Sequence, residues 1–215
     1  MLLNPAASFD LAIRLRAGAL NLGDAFAFMS GLYFRGKLAY GSRFGPVTAG
    51  RDRTFVITPT QGLRSPRSPV TVAQLREFAS VDVNADDPRY RVPLERDLMA
   101  LDASLEQDAR VVLLGSIATS KYVDALVRVV GPRLSFPPSF VGRGDMSRGG
   151  LLLRAAREGV ELEYAPLDSV TQRHGPRPPK LEPLRLSPVV TLRLGPPTPR
   201  DAPARRRPQS SRQRG

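Results

Sequence analysis

The sequence predicts an α/β fold: a single domain over residues 1–168, a short mainly parallel sheet flanked by helices, and a disordered basic tail over residues 169–215. Three observations carry this. Short β-branched runs alternate with segments of helical periodicity, the pattern of βα units. The chain is 41% apolar, enough for a core, but has no Trp and only 7% aromatics, so that core is largely aliphatic. Near residue 171 the composition turns to Pro and Arg, with ten of the 21 prolines in the last 45 residues, a segment too poor in apolar surface to order itself.

Taken in order, SFDLAIRLRAGAL (8–20) has Leu11 and Leu15 at helical spacing, with Ser8 as the expected N-cap. After the break at Asn21 to Gly23, Asp24 can cap a longer helix, in which Phe26, Phe28, Met29, Leu32, Tyr33, Leu38 and Tyr40 form a broad apolar face. Gly31, Gly36 and Gly41 recur every five residues, which matches no single helical face, and each weakens the helix by roughly 1 kcal/mol relative to Ala. TFVIT (54–58) is the first strand, ended by Pro59; the Pro-rich stretch 59–69 reads as a loop. Thr71 caps the helix VAQLREFA, residues 80–92 form an acidic loop, and Leu94, Leu98, Leu101 and Leu105 mark an amphipathic helix.

The chain is most plainly organised around RVVLLGSIATSKY (110–122): an apolar strand, a glycine turn at Gly115, and a helix with Thr119 or Ser120 at its start. That helix carries Tyr122, Val123, Leu126, Val127 and Val130 and stops at Gly131-Pro132. Leu134 to Phe136 is a short strand, PPSFVGRGDMSRGG a glycine-rich loop entering the helix LLLRAARE, and VELEY (160–164) an alternating strand. RLSPVVTLRL (185–194) could add an edge strand.

Composition removes several function classes. With no Cys there is no disulfide, thiolate metal site or Cys nucleophile; with His174 alone, in a Pro/Arg stretch, a Ser-His-Asp triad or His-rich metal site inside the fold is not expected. Of the formal charge of +12, residues 171–215 contribute +9, so the body is nearly neutral and the basicity is tail. No segment has the length of a membrane span, and Asp10, Arg14 and Arg16 interrupt any signal-peptide core; a cytoplasmic protein with no membrane partner is expected.

Two stretches offer chemistry. A strand, a glycine turn and a helix N-terminus direct unpaired N–H groups and a positive dipole end at one place, which suits an anion. Gly115 to Lys121 has the register of a P-loop, but the pattern wants Gly at Ser120 and Ser or Thr at Tyr122, so a working nucleotide hydrolase is not indicated. A looser phosphate site would use Gly115, Ser116, Thr119, Ser120 and Lys121; the plain alternative is an ordinary turn with a solvated lysine. In the second stretch, 142–150, Arg143 and Arg148 can fork onto phosphate or carboxylate, Gly144 permits close backbone approach, Ser147 can cap the helix, and Asp145 is the single candidate acid/base. In a parallel sheet the loops at 59–66, 115–120 and 137–150 would converge on one edge. Tyr33, Arg35 and Lys37 could reach it, although a core aromatic with solvated neighbours is the default, as a solvated loop is for Asp82, Asp86 and Asp87. The residues indicate no metal site and name no cofactor.

LYFRGKLAYGSRFG, FVITPTQGL, DPRYRVPLERD, VVLLGSIATSKYVDALV and FVGRGDMSRGG, in that order, resemble an uncharacterised bacterial protein family. They are similar, more faintly, to small α/β proteins akin to the peroxide-stress protein and to transglycosylase-linked domains. The resemblance implies a nucleotide or nucleobase ligand and supplies no catalytic residue. The expected function is therefore nucleotide- or nucleobase-directed binding of a phosphate-bearing small molecule, with Lys121, Arg143 and Arg148 on phosphate. The alternatives are a noncatalytic module tethered to nucleic acid or acidic partners by its tail, and an interaction protein using the aromatic helix.

Overall fold

The computed structural model describes residues 2–118, 120–168, 171, 173–179 and 181. The chain divides into a folded unit, Met1–Glu182, and the segment Pro183–Gly215, which lies outside the described residues, as does the expected edge strand at 185–194. The folded unit is a mixed α/β domain. Its elements are α1 (Asp10–Arg16), α2 (Leu22–Phe44), β1 (Val56–Ile57), β2 (Leu63–Arg64), α3 (Val72–Ala79), α4 (Pro88–Ser104), β3 (Val111–Val112), α5 (Ser120–Val130), β4 (Leu134–Phe136), α6 (Asp145–Glu158) and β5 (Ala165–Pro166).

The strands are shorter than the sequence suggests, and the sheets are mixed, not mainly parallel. β3, α5 and β4 make one βαβ unit, with Val111 paired to Leu134 and Val112 to Ser135 in parallel. β5 then adds to β4 antiparallel, at residues 165–166, just beyond the expected strand 160–164. β1 belongs to another sheet. The stretch expected to be loop returns on it as β2, in an antiparallel hairpin pairing Val56 with Arg64 and Ile57 with Leu63. Thr58 closes the hairpin: its buried hydroxyl donates to the Gly62 carbonyl and accepts from the Gln61 N–H. The loop at 59–66 is thus a turn in a separate hairpin, and the expected edge formed by three loops is reduced to two.

Of the helix starts, that of α3 follows the sequence and those of α1, α2 and α4 depart from it. Thr71 and Gln74 form a reciprocal capping box on α3. Asn21, not Asp24, caps α2, accepting from the Asp24 N–H at 2.7 Å. α1 begins after Phe9 with no side-chain cap, so Ser8 does not serve there. α4 begins at Pro88, inside the stretch expected to be an acidic loop; Asp87 is its cap, held by Arg89. That extra turn places Tyr90 in register with Leu94 and Leu98, all three essentially fully buried.

The core lies in three clusters. One packs α4, α5, β3 and β4 through Tyr90, Leu94, Ile117, Val123, Leu126 and Leu134. A second packs α1, α3 and the start of α2 through Leu15, Leu20, Leu22, Val70 and Leu75. The third joins the end of α2 to α6 through Tyr33, Tyr40, Phe140 and Leu152. Helix α2 serves two of these clusters, and it changes direction between them. Gly31 has φ +69° and ψ −150°, a conformation outside the helix and reached essentially by Gly alone. Beyond the break, Gly36 meets Gly149 of α6 so closely that a Cβ on Gly36 would lie 2.7 Å from the Gly149 carbonyl oxygen. The five-residue glycine spacing therefore marks a break and a helix contact, not a weak helix.

Candidate functional site

Beside the Gly31 break is a cavity of about 390 Å³, lined by residues 30–34, Lys37, Ser116, Tyr122, Asp145 and Met146. Three sequence-distant elements build it. The break in α2 supplies the backbone of one wall. Where a helix restarts, its leading N–H groups have no carbonyl four residues back and carry the positive end of the dipole. The turn between β3 and α5 supplies Ser116, the first turn of α5 supplies Tyr122, and the first turn of α6 supplies Asp145 and Met146.

Tyr33 joins these pieces. Its hydroxyl donates to the Leu114 carbonyl at 3.1 Å, and its ring carries two cations, Lys37 Nζ at 4.0 Å and the Arg148 guanidinium carbon at 5.9 Å from the centroid. Lys37 follows Tyr33 by four residues, the spacing that stacks side chains along a helix. Burial raises the Tyr33 phenol well above its ordinary value, Arg148 opposing, so Tyr33 stays neutral. Lys37 is pushed down from 10.5 to about 8, because burial removes water from its ammonium. The Asp145 carboxylate resists this shift and Arg148 adds to it.

The first turn of α6 is locked from within. Arg148 is only 8% exposed; its Nε donates to the Phe140 carbonyl at 3.2 Å and one terminal nitrogen donates to Asp145 Oδ1 at 3.3 Å. Asp145 itself remains exposed, in the first turn of its helix, where its charge faces the positive dipole end. Arg143 donates to the Ser139 carbonyl, to the Ser147 hydroxyl and to the Pro179 carbonyl. Contacts with the body therefore continue past residue 168: Arg173 pairs with Asp124 at 3.3 Å, and Gly175 packs on Val141 closely enough that a Cβ there would lie 2.8 Å from its methyl.

The residues singled out in the sequence divide accordingly. Ser116 and Asp145 line the cavity, and Arg148 packs behind Asp145. Gly115 does not line the cavity; it packs against Tyr122, which does, so closely that a Cβ there would meet the Tyr122 hydroxyl at 2.7 Å. Ser120 and Lys121 are exposed at the start of α5 and do not line the cavity. Arg143 and Ser147 are occupied with each other, Gly144 is the N-cap of α6, and Thr119 lies outside the described residues. The Gly115 turn also differs from a phosphate loop. Its carbonyls at Leu114 and Ser116 accept from the Tyr33 and Tyr122 hydroxyls, and the Ser116 hydroxyl accepts from the Ala118 N–H at 3.4 Å. Missing from the sequence-based site are Lys37, which was a solvated neighbour by default, Tyr122, which read as helix interior, and the break at Gly31. The signal for the first was present in the four-residue spacing from Tyr33.

Among the described residues no group of three or more His, Asp or Glu stands close enough to hold a metal ion, and no helix is long and apolar enough to cross a membrane. Comparison with protein-family models, curated proteins and solved structures finds no match to this chain.

Proposed function

We propose that the chain binds a small phosphate-bearing ligand, of nucleotide or nucleobase-phosphate type, in the cavity at the Gly31 break. The observation that carries this is Lys37, a half-buried cation on a cavity wall that also holds the restarting turn of α2. The phosphate meets the leading N–H groups of the restarted helix and the Lys37 ammonium, a combination favourable to anions. Ser116 and Tyr122 line the opposite elements and take the neutral part of the ligand. Asp145 is the acid/base available there. The volume falls in the range of about 300–1,000 Å³ usual for small-molecule sites.

A thermal-shift titration with inorganic phosphate and a set of nucleoside monophosphates tests this. Lys37→Ala is expected to abolish the shift and Lys121→Ala to retain it. A shift that disappears with Lys121 and survives loss of Lys37 overturns the assignment.

A second reading has its own observation: three quarters of the net charge lies in residues 171–215. A tail of that charge tethers a neutral body to nucleic acid or an acidic partner without sequence preference. Its binding is lost on truncation after Glu182 and falls steeply with salt, whereas binding in the cavity survives both.

A further inference from the structure

The chain has 29 arginines and three lysines. Lys121 is exposed, Lys180 lies outside the described residues, and Lys37 stands in the cavity wall. The charged residues that line this wall are Lys37 and Asp145, and Arg148 already supplies a permanent cation behind Asp145. Lysine differs from arginine in one chemical respect that matters here. Its nitrogen can shed a proton in the neutral range and then carries a nucleophilic lone pair, which a guanidinium does not.

The surroundings of Lys37 suit that use. Among the described residues Nζ has no hydrogen-bond or ion-pair partner; its contact is the face of the Tyr33 ring at 4.0 Å. A structural lysine would be expected to hold a carboxylate, as Arg148 holds Asp145 at 3.3 Å. The Tyr33 hydroxyl is turned away to Leu114, so it neither accepts from the amine nor blocks it. Burial brings the amine to about 8, leaving a substantial neutral fraction at physiological pH.

We propose that Lys37 is a nucleophile that condenses reversibly with the carbonyl group of a small aldehyde or ketone held in this cavity. The proposal rests on the reading that the cavity takes a small phosphate-bearing ligand, and it puts a short phosphorylated carbonyl compound in place of the nucleotide, its phosphate on the N–H groups of the restarted turn of α2 and the neutral Lys37 amine on its carbonyl carbon. The neutral amine attacks the carbonyl carbon, and the carbonyl π pair moves to oxygen. A proton passes from nitrogen to that oxygen through the Asp145 carboxylate, giving a carbinolamine. A proton taken from solvent onto its hydroxyl lets water leave as the nitrogen lone pair forms the C=N bond, and the resulting iminium returns its N–H proton to solvent. The net change is aldehyde plus amine to imine plus water; nothing is oxidised or reduced.

The test uses the full-length protein with glyceraldehyde and glyceraldehyde 3-phosphate, each trapped with borohydride and mapped by peptide mass spectrometry. One adduct is expected, on the peptide bearing Lys37, at least tenfold above labelling of Lys121, Lys180 or the α-amino group, with half-maximal labelling near pH 8. Lys37→Arg is expected to remove it. Mapping in the unaltered chain requires no variant to fold. Labelling spread evenly over the three lysines overturns the proposal, as does labelling of Lys37 that rises only above pH 10. Equal trapping of the two aldehydes upholds the nucleophile and ends the phosphate reading. A phosphate-dependent thermal shift with no trapping on Lys37 ends the nucleophile and leaves the phosphate reading standing.

Discussion

At Gly115 the chain leaves a strand and enters a helix; at Gly31 it interrupts what its sequence presents as one helix. Gly31 lines the cavity and Gly115 packs behind its wall against Tyr122, and the two positions need glycine for opposite physical reasons. Gly115 is crowded: a Cβ would lie 2.7 Å from the Tyr122 hydroxyl and 3.1 Å from Leu113. Gly31 is open, with nothing within 4 Å of the place a Cβ would take, and is required for its backbone angles. The Gly115 turn resembles a phosphate loop in sequence, yet two tyrosine hydroxyls occupy its carbonyls. The Gly31 break resembles nothing in sequence, yet it opens a helix start onto the cavity. A glycine motif thus shows where a backbone bends, not which of its polar groups face a ligand.

Substituting Gly31 gives the largest expected effect. Gly31→Ala places an L-residue at φ +69° and ψ −150°, a cost of about 2 kcal/mol or more, and straightening the helix to avoid it separates the two cores that α2 serves. Asn, which tolerates the ordinary left-handed region, is not expected to rescue it, because ψ −150° lies elsewhere. Chemical denaturation of Gly31→Ala and Gly31→Asn checks this; a variant as stable as the parent would show that the break is not obligatory.

Gly115→Ala ranks next, at about 1–2 kcal/mol, from overpacking against Tyr122. Tyr122→Phe removes the clashing atom, so the double variant is expected to be less destabilised than the sum of the two singles. Strict additivity in that cycle would place the strain elsewhere. Tyr33→Phe is smaller again, about 1 kcal/mol, because it strips the Leu114 carbonyl of its donor while leaving the ring that carries Lys37. Its stability loss should accompany little change in ligand response; a complete loss of response would mean that the Gly115 turn, not the Gly31 break, orients the ligand.

These contrasts also explain what was legible beforehand. The βαβ unit from Val111 to Phe136 follows from β-branched runs, a glycine and a helical stripe, all local signals. So does the Thr71 capping box, a pattern contained within four residues. The cavity depends on pairings the local pattern does not encode: the Tyr33 hydroxyl and the Leu114 carbonyl are 81 residues apart, and Gly36 meets Gly149 across two helices. Lys37 illustrates the limit most clearly. Its spacing from Tyr33 was visible, but a solvated lysine and a buried one have the same sequence, and only the packing of α6 on α2 distinguishes them. The hairpin escaped for another reason, since a two-residue strand among prolines and glycine carries almost no periodicity.

The finest discrimination comes from pH. The Lys37 amine titrates at about 8 in the fold and near 10.5 in the open chain. Below pH 8 both states hold the proton, and the folded state bears the full penalty of a desolvated ammonium. Between about 8 and 10.5 the unfolded chain binds more protons than the native one, so the penalty fades and stability rises with pH. Lys37→Met, which carries no charge, should therefore exceed the parent in Tm most at pH 7, with the advantage shrinking toward pH 10. Lys37→Arg stays charged throughout, so the difference between Met and Arg should hold constant over the same range. If the Met advantage were equally constant, Lys37 would be solvated like Lys121. The cavity wall at the Gly31 break would then be no different from the exposed start of the helix after Gly115.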